Sequence, residues 1–171
     1  MTAIKSIFAI CLLSAAPAFA AVGDVMSAKL SDTAGKTVGK VSVVERADGL
    51  HVNVKVMRIP VGVHGSHIHT SGTCDAPDFT TAGGHWNPLG KQHGLDNPVG
   101  SHSGDIPNLN VKASGKGYAT YVIKSATITG VGGLADGDGA AFVIHATADD
   151  NVTDPSGNSG ARIACGVLKA R

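Results

Sequence analysis

The sequence predicts an all-β fold, a β-sandwich or flattened Greek-key barrel of eight strands, and three observations carry that expectation. Short runs of alternating apolar and polar residues recur along the chain, glycine-rich turns separate them (23 glycines in 171 residues), and no segment has a sustained helical period. With only one Trp, two Tyr and four Phe, the core must rely on Val, Ile, Leu and Ala.

The first three strands read as VMSAKLSD, TVGKVSVVER and LHVNVKVMRI, separated by the turns TAGK and ADG. The ADG step is a hairpin signal, because glycine accepts the positive φ that tight turns demand. Pro60-Val61-Gly62 ends the third run, and HGSHIHT supplies a fourth strand. The pattern then stops. From Ser71 to about Ile106 lies a loop of roughly 35 residues, against a usual length of ~4 to 6, and a loop of that size in a compact domain is functional or disordered. Alternation returns in NLNVK, GYATYVIK, AAFVIHA and ARIACGVLK. TITGVGGLADGDG is too long for a hairpin and reads as a crossover, and Thr147 to Gly160 forms a second irregular loop. No internal repeat, low-complexity tract or domain linker interrupts the chain.

The N-terminus has a charge at Lys5, an apolar stretch from Ile7 to Ala16, and Ala18-Phe19-Ala20 before Ala21. That is the layout of a cleavable secretory signal over residues 1–20, with a signal anchor as the alternative. The mature domain would be 21–171, enough for one core. The 14 lysines and arginines face 13 acidic residues, and removing Lys5 leaves an even balance. Neutrality argues against a nucleic-acid partner, and no polybasic run marks a membrane surface. The two cysteines left after cleavage, Cys74 and Cys165, most simply form one disulfide in an oxidising compartment; two free buried thiols are the alternative.

Six of the eight histidines fall between positions 64 and 102. In an extended strand, side chains at i and i+2 share a face, so His67 and His69 stand together as a chelating pair. His64 is out of phase and reads as structural unless Gly65-Ser66 distorts the strand. His85, His93 and His102 lie in the long loop, with Asp105 three residues further on. His145 sits in the apolar run FVIHA, where a lone histidine is more often a core residue than a ligand. Imidazole suits copper and zinc, and a carboxylate added to three imidazoles suits zinc. Taken alone, these residues point to an exported β-protein with an imidazole-rich site for more than one ion, and to no particular reaction.

The segments HGSHIH, AGGHWNP, KQHG, SHSGDIPNL, VIHATADD and GARIACGVL, in that order, resemble copper/zinc superoxide dismutase, specifically its exported bacterial branch. The resemblance implies an eight-stranded Greek-key β-barrel or sandwich of immunoglobulin-like architecture with two long functional loops. It implies one copper, on His67, His69, His85 and His145, and one zinc, on His85, His93, His102 and Asp105, with His85 bridging the two. Cys74 and Cys165 match the family disulfide. Asp149 matches a carboxylate that receives hydrogen bonds from His67 and His93. Arg162 matches an arginine that attracts superoxide, the anionic substrate, and His85 a proton donor. The expected reaction is dismutation to dioxygen and hydrogen peroxide in the periplasm, protecting the cell envelope.

Two departures from the family pattern stand out. Thr70 occupies a position that is glutamate in many relatives, and the loop between His145 and Arg162 is short and lacks lysine. Long-range steering by that loop is therefore not expected, and Lys91 becomes the first alternative to test. The competing reading is an exported copper/zinc buffer or metallochaperone on the same fold without catalysis. A monomer and a homodimer are both compatible with the sequence.

Overall fold

Alternation sets the architecture strand by strand. In β1 (Val25–Asp32) Met26, Ala28 and Leu30 turn inward while Ser27 and Lys29 turn out. β2 (Thr37–Arg46) and β3 (Gly49–Val56) repeat the pattern, burying Val41 and Val43, then Leu50, Val52, Val54 and Val56. β4 (Gly62–His69), β5 (Asp105–Val111), β6 (Gly117–Lys124), β7 (Ala140–His145) and β8 (Arg162–Ala170) complete the set. The computed structural model describes residues 23–171; the signal reading of residues 1–20 lies outside them.

The eight strands close into an antiparallel barrel in the order β1-β2-β3-β6-β5-β4-β7-β8. Two connections therefore cross the barrel, β3 to β4 and β6 to β7. The second is the segment read as a crossover, and it is held by Ile128 N–H donating to the buried carboxylate of Glu45 at 2.7 Å. Ile128 and Leu134 of this crossover join the main core.

The turns obey local chemistry. Asp32 Oδ1 accepts the amides of Ala34 and Lys36 at 3.0 and 2.8 Å, closing the first hairpin. In the second, Arg46 pairs with Gly49 across Ala47-Asp48, and Gly49 takes φ +130°.

Several strand ends differ from the sequence reading. β3 stops at Val56 because Arg58 adopts a left-handed φ of 62°. β4 begins at Gly62, paired with Val111, two residues before His64. β5 begins at Asp105, not Asn108, because Asp105 and Ile106 pair with His67 and Ser66. β8 starts at Arg162 and runs on to Ala170. The long loop, 70–104, contains a single 3-10 turn at Thr80–Ala82.

What positions the site is the outer wall of β4 and β7. Ile68 lies in the barrel core, so His67 and His69 on either side of it point outward. On β7, Ala140, Phe142 and Ile144 face the core, while Ala141 and Val143 face outward into a second cluster with Phe79, Ala82 and Cys165. His145 continues that outward series. The long loop covers this wall, which explains why every residue of β7 is buried on both faces.

Candidate metal centre

Four histidine nitrogens converge under the loop. His67 Nδ1, His69 Nε2, His85 Nε2 and His145 Nε2 are all buried and lack a hydrogen-bond partner among the described residues. A buried polar atom left unpaired costs about 1–3 kcal/mol, and four of them in one place point to an ion. The opposite nitrogen of each ring is fixed. His69 Nδ1–H donates to Gly83 O at 2.9 Å, His145 Nδ1–H to Gly160 O at 3.1 Å, and His67 Nε2–H to Asp149 Oδ2 at 2.5 Å. Each bond places the proton away from the cluster and turns a lone pair into it.

A second set adjoins the first. Asp105 Oδ1 lies 2.8 Å from His85 Nδ1, 3.0 Å from His93 Nδ1 and 3.3 Å from His102 Nδ1, and His102 Nδ1 lies 3.4 Å from His85 Nδ1. A tetrahedral ion with bonds of about 2.0–2.1 Å needs donor separations of roughly 3.3 Å, so three nitrogens and one oxygen at this spacing suit zinc. Asp105 Oδ2 accepts the amides of Gly94 and His102 at 2.9 and 3.0 Å, leaving Oδ1 to the cluster. The sets His67/His69/His85/His145 and His85/His93/His102/Asp105 each keep their donor atoms within 4.8 Å of one another. His85 belongs to both, through different nitrogens.

Asp149 ties the sets together from behind. Its Oδ2 accepts from His67 and its Oδ1 from His93 Nε2 at 3.0 Å, one ring from each set. Asn108 on β5 clamps the backbone of Asp149, donating to its carbonyl at 2.8 Å and accepting its amide at 2.9 Å.

The electrostatics favour ligand forms. Burial, reinforced by neighbouring imidazoles, pushes His69 down to about 2 and His145 to about 3. Burial likewise takes His85 down to about 4, against an opposing hydrogen bond to Asp105. These rings are neutral near pH 7, as ligation requires. Burial alone would raise Asp105, but hydrogen bonds from His85 and the Gly94 amide outweigh it and hold the carboxyl well below its ordinary range. Asp149 shows the same contest, burial losing to the bonds from His67, Asn151 N–H and His93.

Arg162 stands opposite His145 in the β7–β8 ladder. Its guanidinium donates to Phe79 O and Gly83 O, both at 2.6 Å. Gly83 O thus serves Arg162 and His69 together. Cys74 and Cys165 form a disulfide with Cα atoms 5.8 Å apart, fastening the loop to β8. His64 is structural: its ring lies 2.8 Å from His145 O and 2.9 Å from Pro60 O, and the β4–β5 register slips between His64 and Ser66. Lys91 is exposed in the long loop.

Every residue expected at the site is brought to it. Sequence reasoning missed the carbonyls of Phe79, Gly83 and Gly160, which side-chain identity cannot signal, and also Asn108 and Asp154. Asp154 Oδ1 accepts the His93 amide at 2.6 Å.

An all-imidazole donor set fused through one shared ring to a three-imidazole, one-carboxylate set, on the wall of an eight-stranded antiparallel barrel, defines a two-metal barrel protein. Residues 37–168 match the family model for copper/zinc superoxide dismutase (SODC), and the chain belongs to that family. It is similar to a superoxide dismutase-like protein of Bacillus subtilis, 46% identical over 147 residues that span 82% of this chain and 74% of the relative. A copper/zinc superoxide dismutase of Caulobacter vibrioides is 40% identical, over 79% of this chain and 80% of its own. The crystal structure of a superoxide dismutase-like protein from B. subtilis superposes with a TM-score of 0.79 at 42% identity, covering 84% of this chain and 97% of that one. The family implies copper and zinc, and the two donor sets fit them.

Proposed function

We propose that this protein dismutates superoxide to dioxygen and hydrogen peroxide, with copper on His67, His69, His85 and His145, zinc on His85, His93, His102 and Asp105, and His85 as the bridge. The observation that carries this reading is the convergence of four buried, unpartnered imidazole nitrogens beside a fixed arginine. When bound, copper supplies one-electron chemistry, oxidising one superoxide and reducing the next, while zinc supplies only structure.

The remaining work belongs to the chain. Arg162 spends two donors on the Phe79 and Gly83 carbonyls, which hold its plane, and its other N–H groups bind and orient the superoxide anion. When it is not holding copper, His85 Nε2 would carry one proton to the second superoxide, the other coming from solvent; two protons and two superoxide ions give one dioxygen and one hydrogen peroxide. Asp149 keeps His67 and His93 in one tautomer.

Superoxide decay after pulse radiolysis tests the activity. The copper- and zinc-loaded protein is expected to accelerate decay, and His145→Ala to abolish most of the acceleration. A loaded native protein no faster than a metal-free control refutes the enzyme reading.

The superoxide dismutase-like name of the B. subtilis relative favours one second reading, a metal-binding relative without catalysis. The complete four-histidine set and Arg162 in this chain support the enzyme instead.

Export to the periplasm, after cleavage behind residue 20, completes the proposal. The charged, apolar and small-residue order of the N-terminus supports it, as does the Cys74–Cys165 disulfide. Mass spectrometry of protein recovered from the envelope should find Ala21 as the first residue; a retained Met1 contradicts it.

A further inference from the structure

The near-neutral composition hides a segregated charge pattern. Lys29, Lys40 and Lys55 lie directly opposite one another on β1, β2 and β3, and Tyr118 on β6 continues the row. All four are exposed. Strand spacing of about 4.8 Å sets three ammonium groups along roughly 10 Å. Like charges directly opposite destabilise a sheet, so this row works against the fold unless an anion meets it.

No carboxylate relieves it. The neighbouring outward row is Ser27, Ser42, Asn53 and Thr120, and Asp32, at the end of β1, is engaged by the turn amides. Among the described residues, no lysine or arginine lies within salt-bridge distance of an acidic group; the ion pairs there are all His–Asp. Arg171 is fixed at one margin by its Nε–H bond to Ser27 Oγ at 2.9 Å, and Arg58 at the other by its bond to Thr37 O at 3.1 Å. Between these margins the surface dips into an open depression of about 930 Å³ that includes the three lysines.

We propose that this face docks on an anionic phospholipid membrane. Charge complementarity selects the phosphate headgroups, and the broad, open shape suits a bilayer surface better than the deep groove a linear polyanion would fill. Tyr118, 58% exposed, and Met57, 45% exposed, add interfacial apolar contact at one edge. Orientation supports the same partner. In the closed strand order β2 and β3 stand three or four places from β4 and β7, so docking by this face leaves the metal centre pointing away from the lipid.

The test is flotation of the mature, copper- and zinc-loaded protein with vesicles of phosphatidylcholine containing about a third phosphatidylglycerol, beside vesicles of phosphatidylcholine alone. Binding is expected only to the anionic vesicles and should weaken with salt. Each lysine near such a surface contributes about fivefold, so Lys29→Gln/Lys40→Gln/Lys55→Gln should cost roughly a hundredfold in partitioning with superoxide decay unchanged. Lys91→Gln/Lys112→Gln/Lys116→Gln, with the same change in net charge, should cost far less. The proposal fails if the anionic vesicles bind no protein, if both triple variants lose binding equally, or if the protein binds heparin or duplex DNA while ignoring the vesicles.

Discussion

Replacing Gly157 by alanine should break the link between the two halves of the metal centre without replacing a ligand. Gly157 has φ +63°, and a Cβ there would lie 1.8 Å from Asp149 Oδ1 and 2.6 Å from His93 Nε2. The backbone cannot easily yield, because Gly157 N–H donates to Thr153 O at 2.7 Å and Gly157 O accepts from Asp150 at 2.9 Å. The left-handed backbone costs alanine about 1–2 kcal/mol. Displacing Asp149 also weakens its bonds to His67 and His93, each charge-assisted and worth roughly 1.5–3 kcal/mol. Allowing for partial relaxation, the loss should be about 3–5 kcal/mol in the metal-free protein, a fall in Tm of roughly 10 °C for a domain of this size. Outer-partner loss of this kind weakens metal affinity about 10- to 100-fold. Gly35→Ala is the control, since Gly35 has φ +79° with nothing within 4 Å of its Cβ position; it should show the backbone cost alone. Thermal melts of the metal-free variants and chelator competition for copper and zinc give both numbers. Equal Tm shifts and equal metal affinities for the two variants would refute the orienting role of Asp149.

Arg162→Ala should retain both metals and lose tenfold or more of its rate, on the order expected for removing an attracting charge, with a flatter ionic-strength dependence; metal analysis and pulse radiolysis check this, and an undiminished rate removes Arg162 from substrate binding. Cys74→Ser/Cys165→Ser opens a bridge of sequence separation 91, worth at most about 4–5 kcal/mol by loop closure, and urea titration should show a loss no larger than that. Metal-free protein should lose stability on acidification. His69, His85 and His145 have folded values of about 2, 4 and 3, below the ordinary 6.5, so the unfolded chain binds more protons. Their contribution is intact above pH 6.5 and falls as pH drops, by roughly 1.4 kcal/mol per pH unit per ring. Asp105 and Asp149, both lowered, extend the loss below pH 4. A urea midpoint that stays flat from pH 7 to 4.5 contradicts these environments.

The strands were legible because one face of nearly every run packs into one core, and alternation records that directly. Their ends were not, because hydrogen bonding decides them: Asp105 and Ile106 look like loop residues yet pair with β4. His67 and His69 were readable as a pair from strand period alone. His145 was not, since AAFVIH reads as an apolar run when the loop covers its outer face as completely as the core covers its inner one. Motif order supplied what period could not, the assembly of ligands from β4, β5, β7 and the long loop. Backbone acceptors such as Gly83 O stayed invisible, because any residue presents a carbonyl. The lysine row on β1, β2 and β3 stayed invisible for a related reason, since net charge carries no information about where the charges lie.

The location of the centre outside the barrel has an energetic consequence. The core cluster runs through all eight strands and contains none of the metal ligands, so the barrel does not need metal in order to close. The loop over residues 70–104 is different. Ordering each residue costs about 1–2 kcal/mol, while its apolar anchors are few: Trp86 in the main core, and Phe79 and Ala82 in the outer cluster with Ala141, Val143 and Cys165, Cys74 packing against them. Those few anchors cannot by themselves offset the ordering of so long a segment. Backbone hydrogen bonds such as Trp86 N–H to Ile68 O at 2.8 Å, the disulfide, the Arg162 bonds to Phe79 O and Gly83 O, and the contacts of His85, His93 and His102 add to them. The arginine and histidine tethers are also part of the proposed active site. Metal binding therefore reinforces an ordering that these contacts begin, and the loop that shields the metals is held in part by the residues that bind them.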